Sequence, residues 1–397
     1  MKLSIYSLLF LFTFLNSCSQ SIEQKELNGS VASAHPLATQ AGLDVLENGG
    51  NAFDAAIAVA STLNVVEPMM SGIGGYGTIL IYDAKNKSIR YLNPSGKFPV
   101  NTNTDLMRKP TPNYLENRTG PKAISTPGNL NAWAEMHKNY GDMPWANLFD
   151  SAIKNAENGF KISTNTAKWI EVSFSDYDDY PKSFYGKNGQ PLEKGDVLIQ
   201  SDLANTYKLI AKEGAHPFYN GVIAETIDKQ MKKAGSFLSI EDLHSNVAEW
   251  WEPLKFNYRG YDVYTASLPA NSFPALLNLG LMEQFPSKDF EHNSVDYIHR
   301  FAEMTKESYK ARLAYSFDPD IKEAPIDSIL SIDFLKNMAN SIDMVNATDF
   351  VPPFSNESKN TTHFVVTDKW GNIVSATQTL GNLFGSRIMV EGTGIWL

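Results

Sequence analysis

The chain has 397 residues, and its 34 basic and 44 acidic side chains give a formal net charge of −10. This length accommodates one large layered domain or about two average ones. The acidic balance, with no Lys/Arg cluster, argues against a nucleic-acid partner. A single cysteine, Cys18, excludes a disulfide framework or a cysteine metal site within the chain. The histidines show no paired ligand spacing, so neither a metal nor a cofactor is expected.

The first residues have the pattern of a secretory signal. A charged start precedes an apolar run over residues 3–15, which is too short to span a bilayer comfortably. Leu15-Asn16-Ser17-Cys18 resembles a bacterial lipoprotein signal, in which the peptide is cut before a cysteine that is then lipidated. We therefore expect a signal peptide at 1–17, a lipidated Cys18 and a polar tether at 18–28. The protein would cross the inner membrane and remain a periplasmic or cell-envelope lipoprotein anchored to the membrane by its lipid; an ordinary signal peptide with an incidental cysteine is the alternative.

The next elements are predicted in chain order from periodicity and breakers. They are a strand at 30–34, a helix at 35–48, a second helix at 52–63 capped by Asn51, and strands at 78–82 and 88–92. The glycine-rich loop at 71–77 lies between a helix and a strand, whereas a dinucleotide fingerprint lies between a strand and a helix. Its four glycines instead predict a tight backbone path where another chain segment or a ligand comes close.

A short threonine motif, Asn360-Thr361-Thr362-His363, stands before an apolar run near the C-terminus. Threonine is β-branched and favours strands, so the motif alone indicates the start of a strand. A cut before Thr361 would give this residue a hydroxyl nucleophile and an α-amine of pKa ~7.7–8.0, close enough to neutrality to act as the base for that hydroxyl. A turn at 368–372 and a strand at 374–380 follow, and 322–360 is interpreted as a linker.

Several blocks along the chain, in order, resemble the gamma-glutamyltranspeptidase family. They include Ser33-Ala34-His35-Pro36-Leu37-Ala38, Gly49-Gly50-Asn51-Ala52-Phe53-Asp54-Ala55-Ala56, Glu67-Pro68, Ser71-Gly72-Ile73-Gly74-Gly75, Tyr140-Gly141-Asp142-Met143-Pro144-Trp145 and the threonine motif. The similarity covers roughly residues 28–397. Members are N-terminal nucleophile hydrolases, so the resemblance implies a four-layer αββα sandwich with Thr361 in its central sheets, incomplete at the C-terminus.

The resemblance also implies a self-processing enzyme. The cut would fall between Asn360 and Thr361, dividing a large-subunit region at 29–360 from a second subunit that begins at Thr361 and remains its partner. Thr361 would then form an acyl-enzyme with a γ-glutamyl amide such as glutathione, for hydrolysis or transfer. Thr379 matches a second threonine that hydrogen-bonds the nucleophile and assists processing. Thr362 and His363 are candidate neighbours of the substrate.

Two departures from the family pattern concern substrate choice. Ser95 stands where an arginine grips the substrate carboxylate in true transpeptidases, and nearby Lys97 offers only a point charge. Gly381 stands where well-studied members carry an asparagine. Ser95 is thus a candidate substrate-binding position with altered chemistry. Both departures favour an alternative function, an acylase or amidohydrolase of the same family that acts on a different amide.

The third departure is length, because only 37 residues run from Thr361 to Leu397. In the family the following part would carry an acidic residue for the substrate amine, a serine pair and the glycine pair of the oxyanion hole. Loss of one oxyanion donor typically lowers kcat by ~10²–10³. An inactive, truncated lipoprotein fragment is therefore the remaining alternative.

Overall fold

The computed structural model describes residues 28–94, 96–103, 105, 118–286, 291–350 and 360–397. Its strands are β1 (Gly29–Ala32), β2 (Tyr76–Asp83), β3 (Ser88–Asn93), β4 (Phe160–Lys161), β5 (Gly186–Lys187), β6 (Gln190–Pro191), β7 (Val197–Leu198), β8 (Glu249–Trp251), β9 (Leu254–Tyr258), β10 (Tyr261–Thr265), β11 (Thr362–Asp368), β12 (Ile373–Thr379), β13 (Met389–Val390) and β14 (Ile395–Trp396). Six of them form one antiparallel sheet in the order β1-β11-β12-β2-β3-β8. The strand that follows Thr361 therefore lies inside the sheet.

Fourteen α-helices occur in the described residues. They are α1 (Pro36–Glu47), α2 (Ala52–Val66), α3 (Asn129–Tyr140), α4 (Asp150–Asn158), α5 (Thr164–Phe174), α6 (Asp179–Tyr185), α7 (Ser201–Glu213), α8 (His216–Asn220), α9 (Val222–Ala234), α10 (Ile240–Ser245), α11 (Phe273–Glu283), α12 (Val295–Tyr315), α13 (Ile326–Ile329) and α14 (Ile332–Asn340). Each helix and strand predicted between residues 30 and 92 is present, with ends that differ by at most three residues. None of the described helices is both long enough and apolar enough to cross a membrane.

Helix α2 is the element that supports the sheet. Asn51 and Asp54 form a capping box at its start, and every residue of the helix is buried. One of its faces packs on β11 and β12. The Asp368 carboxylate, in the turn between those strands, accepts a hydrogen bond from the Ala52 backbone N–H at 2.9 Å. The turn predicted at 368–372 thus locks the β11–β12 hairpin onto the N-terminus of α2.

The two faces of the sheet differ in how deeply their side chains are buried. Along β11, Thr362, Phe364 and Val366 are buried on the side of α2, whereas His363 is exposed and Val365 half-buried on the other side. The alternation has the period of two that a strand imposes. The described residues therefore show a helical layer against one sheet of the expected sandwich, and their remaining sheets have two strands each.

A second, smaller core is built by α11–α14, and it corrects the linker interpretation of 322–360. Residues 326–329 and 332–340 are helical. The Ser331 hydroxyl caps α14 by accepting from the Phe334 N–H, and Ile329 and Leu335 are buried in this core. The segment was missed because its helices are short and polar residues separate their apolar positions. The predicted signal peptide, Cys18 and tether up to residue 27 lie outside the described residues.

Candidate active site

The two threonines singled out by the sequence lie side by side at the end of the central sheet. Thr362 pairs with Gln378 across β11 and β12, and continuing this register by one residue places Thr361 opposite Thr379. The Thr361 hydroxyl donates to the Thr379 hydroxyl oxygen at 3.2 Å. Thr361 itself is exposed, so the nucleophile candidate is accessible from the less covered face of the sheet.

The Thr379 hydroxyl also contacts the bond that would be cut. It donates to the carbonyl oxygen of Asn360 at 2.6 Å and accepts from the Gly381 backbone N–H at 2.8 Å. One donated and two accepted bonds use the full capacity of a hydroxyl. A continuous path therefore runs from the Thr361 hydroxyl through Thr379 to the Asn360 carbonyl.

The glycine-rich loop holds the end of β12 in place. A Cβ atom on Gly75 would lie 2.1 Å from the Thr379 carbonyl oxygen, and one on Gly77 would lie 2.1 Å from the Thr377 carbonyl oxygen. Any larger residue would displace the strand that carries Thr379. The prediction of a tight backbone path is confirmed, and the close neighbour is the strand of the candidate site.

Glu67 is a neighbour of the site that the sequence reasoning missed. It follows the last residue of α2, is 8% exposed, and its carboxylate accepts from the Thr362 hydroxyl at 3.4 Å. Burial raises the pKa of Glu67, and the hydrogen bond from Thr362 partly opposes that change. The available signal was a lone acidic residue that ends the uncharged run 55–66.

His363 lies on the same face of β11 as Thr361. Its Nδ1 is 2.8 Å from the Thr377 hydroxyl, and its Nε2 is 3.4 Å from the Ser375 hydroxyl. Partial burial lowers the pKa of His363, so the ring is neutral at pH 7. His363 thus lies on the side of the nucleophile, whereas the Thr362 side chain lies on the opposite, buried side of β11. The contribution of both to substrate binding stays a prediction.

Gly381 and Tyr76 line the same end of the sheet. Tyr76 pairs with Thr379 across β2 and β12. Gly381 has a φ of +86°, and a Cβ atom added there would lie 3.1 Å from the Tyr76 hydroxyl. An asparagine at this position would therefore meet both an unfavourable backbone conformation and the tyrosine. Tyr76 was missed because a tyrosine in a strand carries no signal of its own.

Ser95 lies outside the described residues, but the residues on either side of it are placed. A Cβ atom on Gly96 would overlap the carbonyl oxygen of Thr126, and one on Gly128 would lie 2.0 Å from the carbonyl oxygen of Pro94. The Gly128 N–H in turn donates to the Gly75 carbonyl at 2.9 Å. The backbone at Gly128 therefore contacts both the residue before Ser95 and the glycine-rich loop that packs against Thr379.

Lys97 is directed to other partners. Its Nζ lies 3.8 Å from a Glu249 carboxylate oxygen and 3.7 Å from an Asp320 carboxylate oxygen, and its side chain is largely exposed. Exposed ion pairs of this length are weak, so the two carboxylates offset the charge of Lys97 only in part. Within the described ranges, no group of three or more His, Cys, Asp or Glu side chains is arranged to hold a metal ion.

Comparisons with known proteins identify the family of the chain. The family model for gamma-glutamyltranspeptidase matches residues 38–397. A glutathione hydrolase proenzyme of Bacillus subtilis is 34% identical over 93% of this chain and 67% of its own length. The crystal structure of a cephalosporin acylase from Bacillus halodurans superposes with a TM-score of 0.82 at 30% identity, over 93% of this chain and 69% of that chain. Helicobacter pylori gamma-glutamyltranspeptidase gives 0.77 at 32% identity, over 85% and 99%.

The fold and the similarity to these solved enzymes define an enzyme of the N-terminal nucleophile hydrolase class. Within that class, the chain belongs to the gamma-glutamyltranspeptidase family of self-processing enzymes. It spans about two thirds of the length of the Bacillus subtilis relative.

Proposed function

We propose that the chain cleaves itself between Asn360 and Thr361, and that the freed Thr361 is the nucleophile of a γ-glutamyl hydrolase or transferase. The observation that carries this proposal is the hydrogen-bonded path from the Thr361 hydroxyl through Thr379 to the Asn360 carbonyl oxygen. The path connects the attacking hydroxyl to the oxygen on which negative charge develops. Its arrangement therefore suits attack on the bond that precedes the nucleophile.

Self-cleavage would proceed in two balanced steps. In the first, the Thr361 oxygen bonds to the Asn360 carbonyl carbon, the C–N bond breaks, and the hydroxyl proton goes to the leaving nitrogen. Thr379 accepts a hydrogen bond from the Thr361 hydroxyl and donates one to the Asn360 carbonyl oxygen, so it can stabilise the oxyanion. In the second step water hydrolyses the ester, which restores the hydroxyl and leaves Asn360 as a carboxylate.

Substrate turnover would reuse the same hydroxyl. The Thr361 α-amine created by cleavage serves as its base, since its pKa of ~7.7–8.0 in a model peptide lies close to neutrality. Attack on a γ-glutamyl amide gives an acyl-enzyme and releases the amine. Water or an amine acceptor then removes the acyl group, so hydrolysis and transfer share one intermediate.

A specific observation favours a second candidate function, that of an acylase acting on another amide. The positive φ of Gly381 disfavours a side chain at position 381, and a Cβ atom there would lie 3.1 Å from the Tyr76 hydroxyl. Lys97 lies near the carboxylates of Glu249 and Asp320, which partly offset its charge. The similarity to the cephalosporin acylase of Bacillus halodurans supports the same reading.

One assay separates the two candidates. Protein expressed at the full length that its gene encodes is incubated with a γ-glutamyl anilide and, in parallel, with a simple acyl anilide and an oxamate-type amide. Turnover of the γ-glutamyl anilide supports the first function, and exclusive turnover of the other amides would replace it with the second. A protein that neither turns over any of them nor cleaves itself would instead be a non-catalytic lipoprotein.

We further propose that the protein is exported and anchored to the cell envelope by lipid on Cys18. The support is the sequence Leu15-Asn16-Ser17-Cys18 after a short apolar run. Metabolic labelling with a fatty-acid analogue tests this, with Cys18→Ala as the control. Label in the native protein and its loss in the variant are expected, and unlabelled native protein in the soluble fraction would contradict the anchor.

A further inference from the structure

Glu67 is a buried carboxylate that contacts the residue next to the one whose amine self-cleavage would create. Its carboxylate contacts the side chain of Thr362, the residue that directly follows the nucleophile. No described Lys, Arg or His side chain lies within ion-pair distance of it. In the uncleaved chain the carboxylate is thus mainly desolvated, with one hydroxyl donor at 3.4 Å.

The titratable groups at the Thr361 end of β11 and β2 are His363 and Tyr76, and both are neutral at pH 7. Tyr207 of α7, which hydrogen-bonds Asn64 of α2, is neutral as well. Burial lowers the pKa of His363 and raises the pKa of both tyrosines. Asp368 of β11 and Tyr82 and Asp83 of β2 lie at the far ends of their strands. Strand β12 has no titratable side chain, and the acidic residue of α2, Asp54, lies at its opposite end. Among the titratable groups of α2, β12 and this end of β11 and β2, Glu67 is therefore the charged one, and it contacts the residue that follows Thr361.

Cleavage changes this balance, because it converts the amide nitrogen of Thr361 into an amine that can carry a positive charge. We propose that Glu67 is a positioning residue that orients Thr361 through Thr362 and becomes the counter-ion of the new α-amine, thereby setting its basicity. The inference rests on the proposed self-cleavage at Thr361. If the inference is correct, the Glu67 carboxylate sets the pH above which the Thr361 α-amine is neutral and can act as the base for the Thr361 hydroxyl.

A negative charge a few ångströms from an amine favours the protonated form and raises its pKa, typically by about one unit or more. Glu67→Gln removes that charge and keeps an oxygen that can accept from Thr362. The pKa of the Thr361 α-amine should therefore fall by about one unit in this variant. The Asn360 carboxylate, also produced by cleavage, is present in both proteins and cancels in the comparison.

The amine can be titrated without any substrate. Cleaved protein is treated briefly with an acylating reagent at a series of pH values and then digested with trypsin, and the acylated fraction of peptide 361–369 is measured by mass spectrometry. The midpoint of that curve is the pKa of the amine. Thr362→Val, which removes the hydrogen bond but keeps the charge, and Glu157→Gln, which removes a surface carboxylate, should both leave the midpoint near its native value.

A midpoint that is the same in native protein and Glu67→Gln would overturn the inference while leaving the proposed function intact. An equal fall in Thr362→Val would show that the hydrogen bond, not the charge, sets the basicity, and would also overturn it. If Glu67→Gln fails to fold, Glu67→Ala, which also removes the charge, replaces it, and an unchanged midpoint there counts against the counter-ion. Absence of any peptide beginning at Thr361 in the native protein would remove the proposed function, and this inference with it.

Discussion

Replacing Thr379 by valine tests the hydrogen-bond path at its centre. Valine keeps the branched shape of threonine but loses the hydroxyl. The variant removes the bond to the Asn360 carbonyl at 2.6 Å, the acceptor for Thr361 at 3.2 Å and the acceptor for the Gly381 N–H at 2.8 Å. Self-cleavage should slow sharply, while the strand itself should still form.

The magnitude follows from the group that is lost. A single hydrogen-bond donor to a developing oxyanion is worth about 10²–10³ in rate, or about 2.7–4 kcal/mol of barrier. We therefore expect cleavage of Thr379→Val to be about 10²–10³ slower than that of the native chain. Thr379→Ser, which retains the hydroxyl, should keep most of the rate.

The assay follows the loss of the intact chain with time by gel electrophoresis and mass spectrometry. Thr377→Val is the matched control, because Thr377 lies two residues earlier on the same face of β12 and its hydroxyl bonds His363 instead of the scissile carbonyl. Circular dichroism confirms that each variant is folded. Native cleavage rates in Thr379→Val, or an equal loss in Thr377→Val, would refute the proposed role of the Thr379 hydroxyl.

Two further variants test the surroundings of the site. Gly75→Ala places a Cβ 2.1 Å from the Thr379 carbonyl oxygen, so it should destabilise the fold by about 1–3 kcal/mol and slow cleavage. Gly72→Ala is the control, because its Cβ meets a flexible side chain at 3.3 Å and should have a smaller effect. Thermal unfolding and the cleavage time course compare the two variants, and equal effects would contradict the account. In an uncleaved Thr361→Ala background, the raised pKa of Glu67 means that its ionisation lowers stability as the pH rises through the window between the unfolded and folded pKa values. Glu67→Gln should therefore raise the melting temperature at pH 8 and have little effect below pH 4, and the same change at both values would argue against a strained carboxylate.

Local rules were sufficient to predict the elements around the site. The Asn51 cap, the alanine-rich helix after it and the turn after Asp368 are short-range signals, and each appears in the structure close to its predicted position. The pairing of Thr361 with Thr379 followed from the family resemblance. Neither residue carries a local signal that distinguishes it from any other strand threonine.

The remaining features depend on contacts between distant parts of the chain. Glu67 and Thr362 are 295 positions apart, and no pattern in either segment indicates that they meet. The proximity of Gly381 to the Tyr76 hydroxyl likewise requires the strand order β12–β2 to be known. The helices at 326–340 were missed for a different reason, because their stability comes from packing in the second core rather than from strong local propensity.

The central claim is that Thr361 becomes the N-terminus of a second subunit by its own action. Trypsin cuts after Lys359 and Lys369, so an intact chain yields the peptide 360–369, which begins with Asn360. After self-cleavage the corresponding peptide is 361–369 and begins with Thr361. We expect the shorter peptide from purified native protein and only the longer one from Thr361→Ala. Finding only the longer peptide in the native protein, or a cut at this bond in Thr361→Ala, would contradict the account.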